Sequence, residues 1–207
     1  LLDVKDDRSP VTVADLAVQV AVTAALRSAD VADADRIVGE EGADTLDAGG
    51  GVMIDQVMRL ASTALEDAGL GSSAPTDEAS LRELLDAGGL DPAVENRERF
   101  WCLDPIDGTL HFQRGDAPYH VCVGLAHRGR MIAAVVARPD EDKLFTAIRG
   151  KGAWLQRGAR PARRLRLPKT PRTNRAFIST KARSFQAPAR SRLDPREHPI
   201  GAALVLT

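Results

Sequence analysis

The 207-residue chain holds 43% hydrophobic residues, 28 Lys and Arg, and 29 Asp and Glu. That composition excludes a disordered polymer, and no apolar run reaches the roughly 18 residues that a membrane-spanning helix needs. The net charge of -1 hides a split: residues 1–150 carry 14 basic against 27 acidic side chains, and residues 151–207 carry 14 against 2. Each part therefore calls for its own explanation. Two cysteines, Cys102 and Cys122, are too few for a disulfide framework or a cysteine-rich zinc site. They point to a reducing, cytoplasmic compartment. No charged-then-apolar leader opens the sequence, and because it begins with Leu1 instead of Met, a start further upstream is expected.

Residues 9–28 predict a helix, with Val13, Leu16, Ala17, Val20 and Ala24 at helical spacing, Ser9 or Thr12 as cap and Pro10 in the first turn. Arg36–Gly39 predicts a short strand that ends at Glu40-Glu41. Gly49-Gly50-Gly51 predicts a break before a helix over 52–68. Asp77 caps a further helix that runs to about Ala87, and both helices read as an insertion between two strands. From Arg99 the period changes. Phe100 to Leu103 is a buried strand that stops at Asp104-Pro105. His120–His127 and Met131–Arg138 form a hairpin across Arg128-Gly129-Arg130. Lys143–Ile148, the segment at Gly152 to Trp154 and Leu165–Leu167 read as further strands. Beyond Pro168 neither period persists.

The chemistry concentrates in Leu103-Asp104-Pro105-Ile106-Asp107-Gly108-Thr109. An apolar strand delivers two carboxylates, three residues apart, onto a tight turn. Pro105 biases Asp104 towards extended backbone. Asp104, the Ile106 carbonyl and Asp107 can then converge as hard oxygen donors for a cation such as Mg²⁺. Gly108-Thr109 opens a short helix whose N–H groups suit a phosphate. Taken alone, Asp-Pro-x-Asp-Gly is also an ordinary surface turn. Likewise Glu40-Glu41 alone is an acidic loop, and Asp15 alone is a first-turn carboxylate on a helix dipole. Together they supply the carboxylates that metal-dependent phosphoryl hydrolysis requires.

Three segments in order resemble the lithium-sensitive, Mg²⁺-dependent phosphatases of the inositol monophosphatase superfamily. They are Ser9-Pro10-Val11-Thr12-Val13-Ala14-Asp15, Val38-Gly39-Glu40-Glu41, and Trp101-Cys102-Leu103-Asp104-Pro105-Ile106-Asp107-Gly108-Thr109. The first segment, the long helical insertion before Asp104, and the runs Phe112 to Asp116 and Ile148 to Ala153 are similar to the 3′(2′),5′-bisphosphate nucleotidase branch. The resemblance implies an α+β fold: the layered α/β sandwich of the sugar phosphatases, its N-terminal half with an incomplete C-terminal layer. It implies Glu40, Asp104, the Ile106 carbonyl and Asp107 as ligands of two or three Mg²⁺ ions in a complete site. It implies Asp15 and Thr109 as the groups that orient and activate water, with Asp107, Gly108 and Thr109 on the substrate phosphate and Glu41 supporting the ligands. The substrate implied is the nucleotide bisphosphate 3′-phosphoadenosine 5′-phosphate, and its phosphosulfate, cleaved to AMP and phosphate in the first case.

The resemblance covers residues 1–170, with 42–99 as the helical insertion and 171–207 as a basic, irregular tail rich in Pro and Arg. The family's Trp-Asp-x-Ala-Ala-Gly-like motif, whose Asp completes the metal site, does not occur. The resemblance therefore implies a C-terminally shortened chain with impaired turnover, and an aperiodic ending from about Arg175 of the kind a shifted reading frame produces. Two other readings keep the fold: an inositol phosphate as substrate, or a non-catalytic chain. Neither a membrane nor nucleic acid is an expected partner, because the basic tail carries no nucleic-acid motif. His111, His120, His127 and His198 are not spaced as zinc ligands.

Overall fold

The computed structural model describes residues 3–4, 10–29, 36–86, 99–116 and 118–166. In chain order these give β1 (Asp3–Val4), β2 (Pro10–Val11), α1 (Val13–Ser28), β3 (Arg36–Gly39), α2 (Thr45–Asp67), α3 (Glu78–Leu85), β4 (Arg99–Asp107) and α4 (Thr109–Arg114). Then follow β5 (His120–His127), β6 (Arg130–Arg138), β7 (Lys143–Ile148), β8 (Gly152–Arg157) and β9 (Arg163–Arg164). The expected tail 171–207 and the expected strand end at Leu167 lie outside the described residues.

One mixed sheet runs in the order β3-β4-β5-β6-β7-β8-β9. Every neighbouring pair is antiparallel except β3 and β4, which run parallel with Gly39 opposite Leu103. A parallel pair cannot be joined by a hairpin, so the chain must cross over between its strands. The helical insertion is that crossover, carrying α2 and α3. The mixed α+β architecture agrees with the expected class.

Four local expectations are corrected. Pro10 lies in β2 and not in a helical first turn; α1 starts at Val13, capped by Thr12. Gly49-Gly50-Gly51 does not break a helix, because α2 begins at Thr45 and runs through it. Each glycine costs about 1 kcal/mol relative to alanine inside a helix. Here the cost is offset by packing along the rest of α2, where Met53, Val57, Ala61 and Leu65 are buried. Strand β4 continues past Asp104 to Asp107, with a register shift against β5 between these residues. Pro105 falls inside that irregularity, where a missing N–H interrupts no regular ladder bond. Finally, β9 occupies Arg163–Arg164, before the expected Leu165.

The most fully buried side chains among the described residues lie between the helices. Leu16, Val20, Leu46, Val57, Ala61 and Leu81 are all fully buried where α1, α2 and α3 meet. Asp77 caps α3 by accepting from the Ser80 N–H at 2.8 Å, as its sequence predicts. Among the described residues no helix is long and apolar enough to cross a membrane.

Candidate active site

Three chain segments distant in sequence meet at one end of the sheet. Strands β3 and β4 both point their carboxyl ends there. The parallel ladder extends one residue past β3, because the Glu40 N–H donates to the Leu103 carbonyl at 3.0 Å. Glu40 is thereby set one step beyond the Gly39–Leu103 pair, beside the start of the Asp104–Asp107 segment. Its side chain is exposed, whereas that of Glu41 is buried.

The N-terminus of α1 supplies the third segment. Thr12 and Asp15 form a capping box, with Asp15 accepting from the Thr12 N–H at 2.9 Å and from the Thr12 hydroxyl at 2.5 Å. The cap does more than end a helix. It turns the other oxygen of Asp15, a residue 1% exposed, towards the turn after β4. Thr109 Oγ1 stands 3.4 Å from Asp15 Oδ1 and 3.0 Å from the Ile106 carbonyl, and its single proton serves these two acceptors. Asp15 and Thr109, paired in expectation, are thus paired in space. The Ile106 carbonyl, expected as a cation ligand, accepts from the Thr109 hydroxyl at 3.0 Å.

Gly108 makes the turn possible. Its φ is +96°, and a Cβ there would sit 3.0 Å from the Pro118 carbonyl oxygen. Only glycine adopts that backbone without strain.

The two carboxylates of β4 create a negative field on its neighbour. Asp104 lies opposite Cys122 in β5, and Asp107 lies opposite His120. The Cys122 thiol is pushed up to about 12, first by burial and then by Asp104, Asp107 and Cys102. Asp107 Oδ2 is buried and accepts no hydrogen bond among the described residues, while His120 Nδ1 stands 3.6 Å away. A buried carboxylate oxygen without a donor, in a field that resists further negative charge, fits a hard cation by chemistry. Among the described residues no three His, Cys, Asp or Glu side chains gather around one metal-sized point.

Two contributors escaped the sequence reading. His120 reads from sequence as a core or surface residue, and only the β4–β5 register brings it to Asp107. Gln19 follows Asp15 by four residues and is equally buried, at 1% exposure. With Thr23 these two form a buried polar row along α1, beside the apolar row of Leu16, Val20 and Ala24. The signal was present: polar residues recurring every fourth position between apolar ones.

These carboxylates, backed by a helix cap, stand at the carboxyl ends of a parallel strand pair, the place where open α/β sheets commonly take ligands. Residues 2–198 match the model of the inositol monophosphatase family, and the chain belongs to that family. It is 30% identical over 178 residues to 3′(2′),5′-bisphosphate nucleotidase 1 of Candida albicans (strain WO-1), covering 76% of this chain and 47% of that protein. It is 37% identical over 140 residues to a 3′(2′),5′-bisphosphate nucleotidase of Emericella nidulans, covering 66% of this chain and 38% of that one. The chain therefore spans about half or less of these relatives' length. A staphylococcal inositol monophosphatase-1 structure overlays 86% of this chain and 48% of its own, with a TM-score of 0.51 at 19% identity, a likeness of fold.

Proposed function

We propose that the chain is the metal-binding part of a phosphoric monoester hydrolase that removes the 3′-phosphate of 3′-phosphoadenosine 5′-phosphate, giving AMP and phosphate. The observation that carries this reading is the meeting of Asp15 with Thr109 at the carboxyl ends of β3 and β4. The bisphosphate nucleotidases among its relatives support the nucleotide as substrate. In this reading Glu40, Asp104, the Ile106 carbonyl and Asp107 hold Mg²⁺, which supplies Lewis-acid chemistry at the phosphate.

The chain's own groups do the rest. Asp15, fixed by Thr12, accepts the Thr109 proton. That leaves the Thr109 oxygen as acceptor for a proton of the attacking water and aligns the water with phosphorus. The positive φ of Gly108 brings the backbone N–H groups of Gly108 and Thr109 within reach of phosphate oxygens. Glu41, a buried neighbour of Glu40 in the chain, supports the ligands in this reading. Residues 1–170 form the domain that carries this site, 171–207 a basic tail, and the compartment is cytoplasmic.

The test is phosphate release from 3′-phosphoadenosine 5′-phosphate and from inositol 1-phosphate, with Mg²⁺ and then with Li⁺ added. Release from the nucleotide that Li⁺ suppresses supports the proposal. Release from the inositol phosphate alone overturns the substrate. Mn²⁺ binding that persists in an Asp104→Asn/Asp107→Asn double variant overturns the site.

A further inference from the structure

Gln19 is a buried amide on the face of α1 that carries Asp15, and it belongs to no expected set of ligands. Its side chain closes a reciprocal pair of hydrogen bonds on a single backbone unit. Nε2 donates to the Glu41 carbonyl at 2.6 Å, and Oε1 accepts from the Glu41 N–H at 2.9 Å. This is the pair of bonds that a neighbouring antiparallel strand would make. The second Nε2 proton goes to the Leu85 carbonyl at 3.2 Å, at the C-terminal end of α3, where helical carbonyls lack intrahelical donors. Gln19 thus spends both donors on three-element cohesion: α1, the loop after β3, and α3.

The same loop is gripped from its other side. The Ala43 N–H donates to Asp86 Oδ1 at 2.9 Å, and the Ala43 carbonyl accepts from Arg82 at 3.2 Å. Next to the clamp, Gly39 leaves room for it. A Cβ at Gly39 would lie 2.3 Å from the Gln19 amide, which no contact of real atoms tolerates. Glu40 sits between these fixed points, with Gly39 before it and the clamped Glu41 after it.

We propose that Gln19 is a positioning residue, which sets divalent-cation affinity by holding the Glu40–Glu41 backbone at the carboxyl end of β3. The inference rests on the reading of this site as cation-binding. A ligand whose backbone is fixed beforehand loses little conformational freedom when the cation arrives, so loss of the clamp weakens binding without removing any ligand.

The experiment uses Mn²⁺ alone as probe, titrated into the full chain and followed by the EPR signal of the free ion. Wild-type binding that vanishes in Asp104→Asn/Asp107→Asn establishes the site, and its absence overturns the site reading itself. Given that binding, Gln19→Met weakens Mn²⁺ affinity tenfold or more, while the core variant Leu65→Ala, folded at the assay temperature, stays within twofold. Affinity for Gln19→Met within twofold of wild type overturns the proposal. Gly39→Ala also weakens binding, and Gly39→Ala in a Gln19→Ala background adds nothing further, because both act through one clamp. Additive losses overturn it. A measurement on the wild type alone covers the case in which the variants do not fold. The Glu41 amide resists hydrogen exchange and Mg²⁺ slows its exchange further; exchange unchanged by Mg²⁺ at a binding concentration overturns the proposal.

Discussion

The helical layer and the outer half of the sheet are built to different standards. Where α1, α2 and α3 meet, six aliphatic side chains are fully buried. Across β5 to β8, Val121, Val123, Leu125, Val135, Val136 and Phe145 are only half-buried, and the fully enclosed positions are mainly small ones such as Ala126 and Ala134. The candidate site lies on the boundary. Asp15 and Gln19 come from the dense side, and Asp104 and Asp107 from a strand that joins the two. A dense layer gives side chains one arrangement each, which is what a ligand set needs. The sheet supplies direction, by bringing two strand ends together.

The largest effect expected is functional. Asp104→Asn with Asp107→Asn should lower phosphate release at least a thousandfold while the melting temperature holds or rises, since two closely placed carboxylates become neutral. A large fall in melting temperature would place these residues in the stabilising framework instead. Next comes packing. Leu16→Ala or Leu46→Ala should cost about 2–5 kcal/mol, and Val136→Ala about 1 kcal/mol, by urea unfolding. Equal costs would erase the contrast between the two regions.

Gly108→Ala is expected to cost about 1–3 kcal/mol through its positive φ and the Pro118 carbonyl, and to reduce turnover more than stability. The smallest effect concerns pH. The Cys122 thiol rises from the ordinary value of 9.0 to about 12 through burial and the nearby carboxylates. A raised folded value gives stability that is complete below pH 9 and is lost as pH climbs towards 12. Cys122→Ala should therefore show a shallower alkaline fall in melting temperature than wild type. A steeper fall would mean that the thiol ionises readily in the fold.

The acidic segments were legible because their residue types and order are unusual, and the strands at His120–His127 and Lys143–Ile148 because β-branched residues there follow turn residues. The Asp77 cap was legible for a local reason too: the accepting carboxylate and the Ser80 N–H that donates to it lie three residues apart. What stayed hidden depends on partners far along the chain. The triple glycine of α2 looked like a break, and only burial of the following turns keeps it helical. Pro105 looked like a strand end, and only the register shift against β5 accommodates it. Gln19 looked like a polar residue on an amphipathic helix, because nothing near it in sequence reveals that its partner is the backbone of Glu41.

The parallel pairing of β3 with β4 joins Gly39 to Leu103, a closure over about sixty residues. A contact of that span is expected to form late, since packing of the crossover helices on α1 offsets its entropic cost. The two strand ends are therefore expected to meet after the helical layer has formed. A cation binding across them stabilises only the finished arrangement, so it should slow unfolding while leaving the rate of folding nearly unchanged.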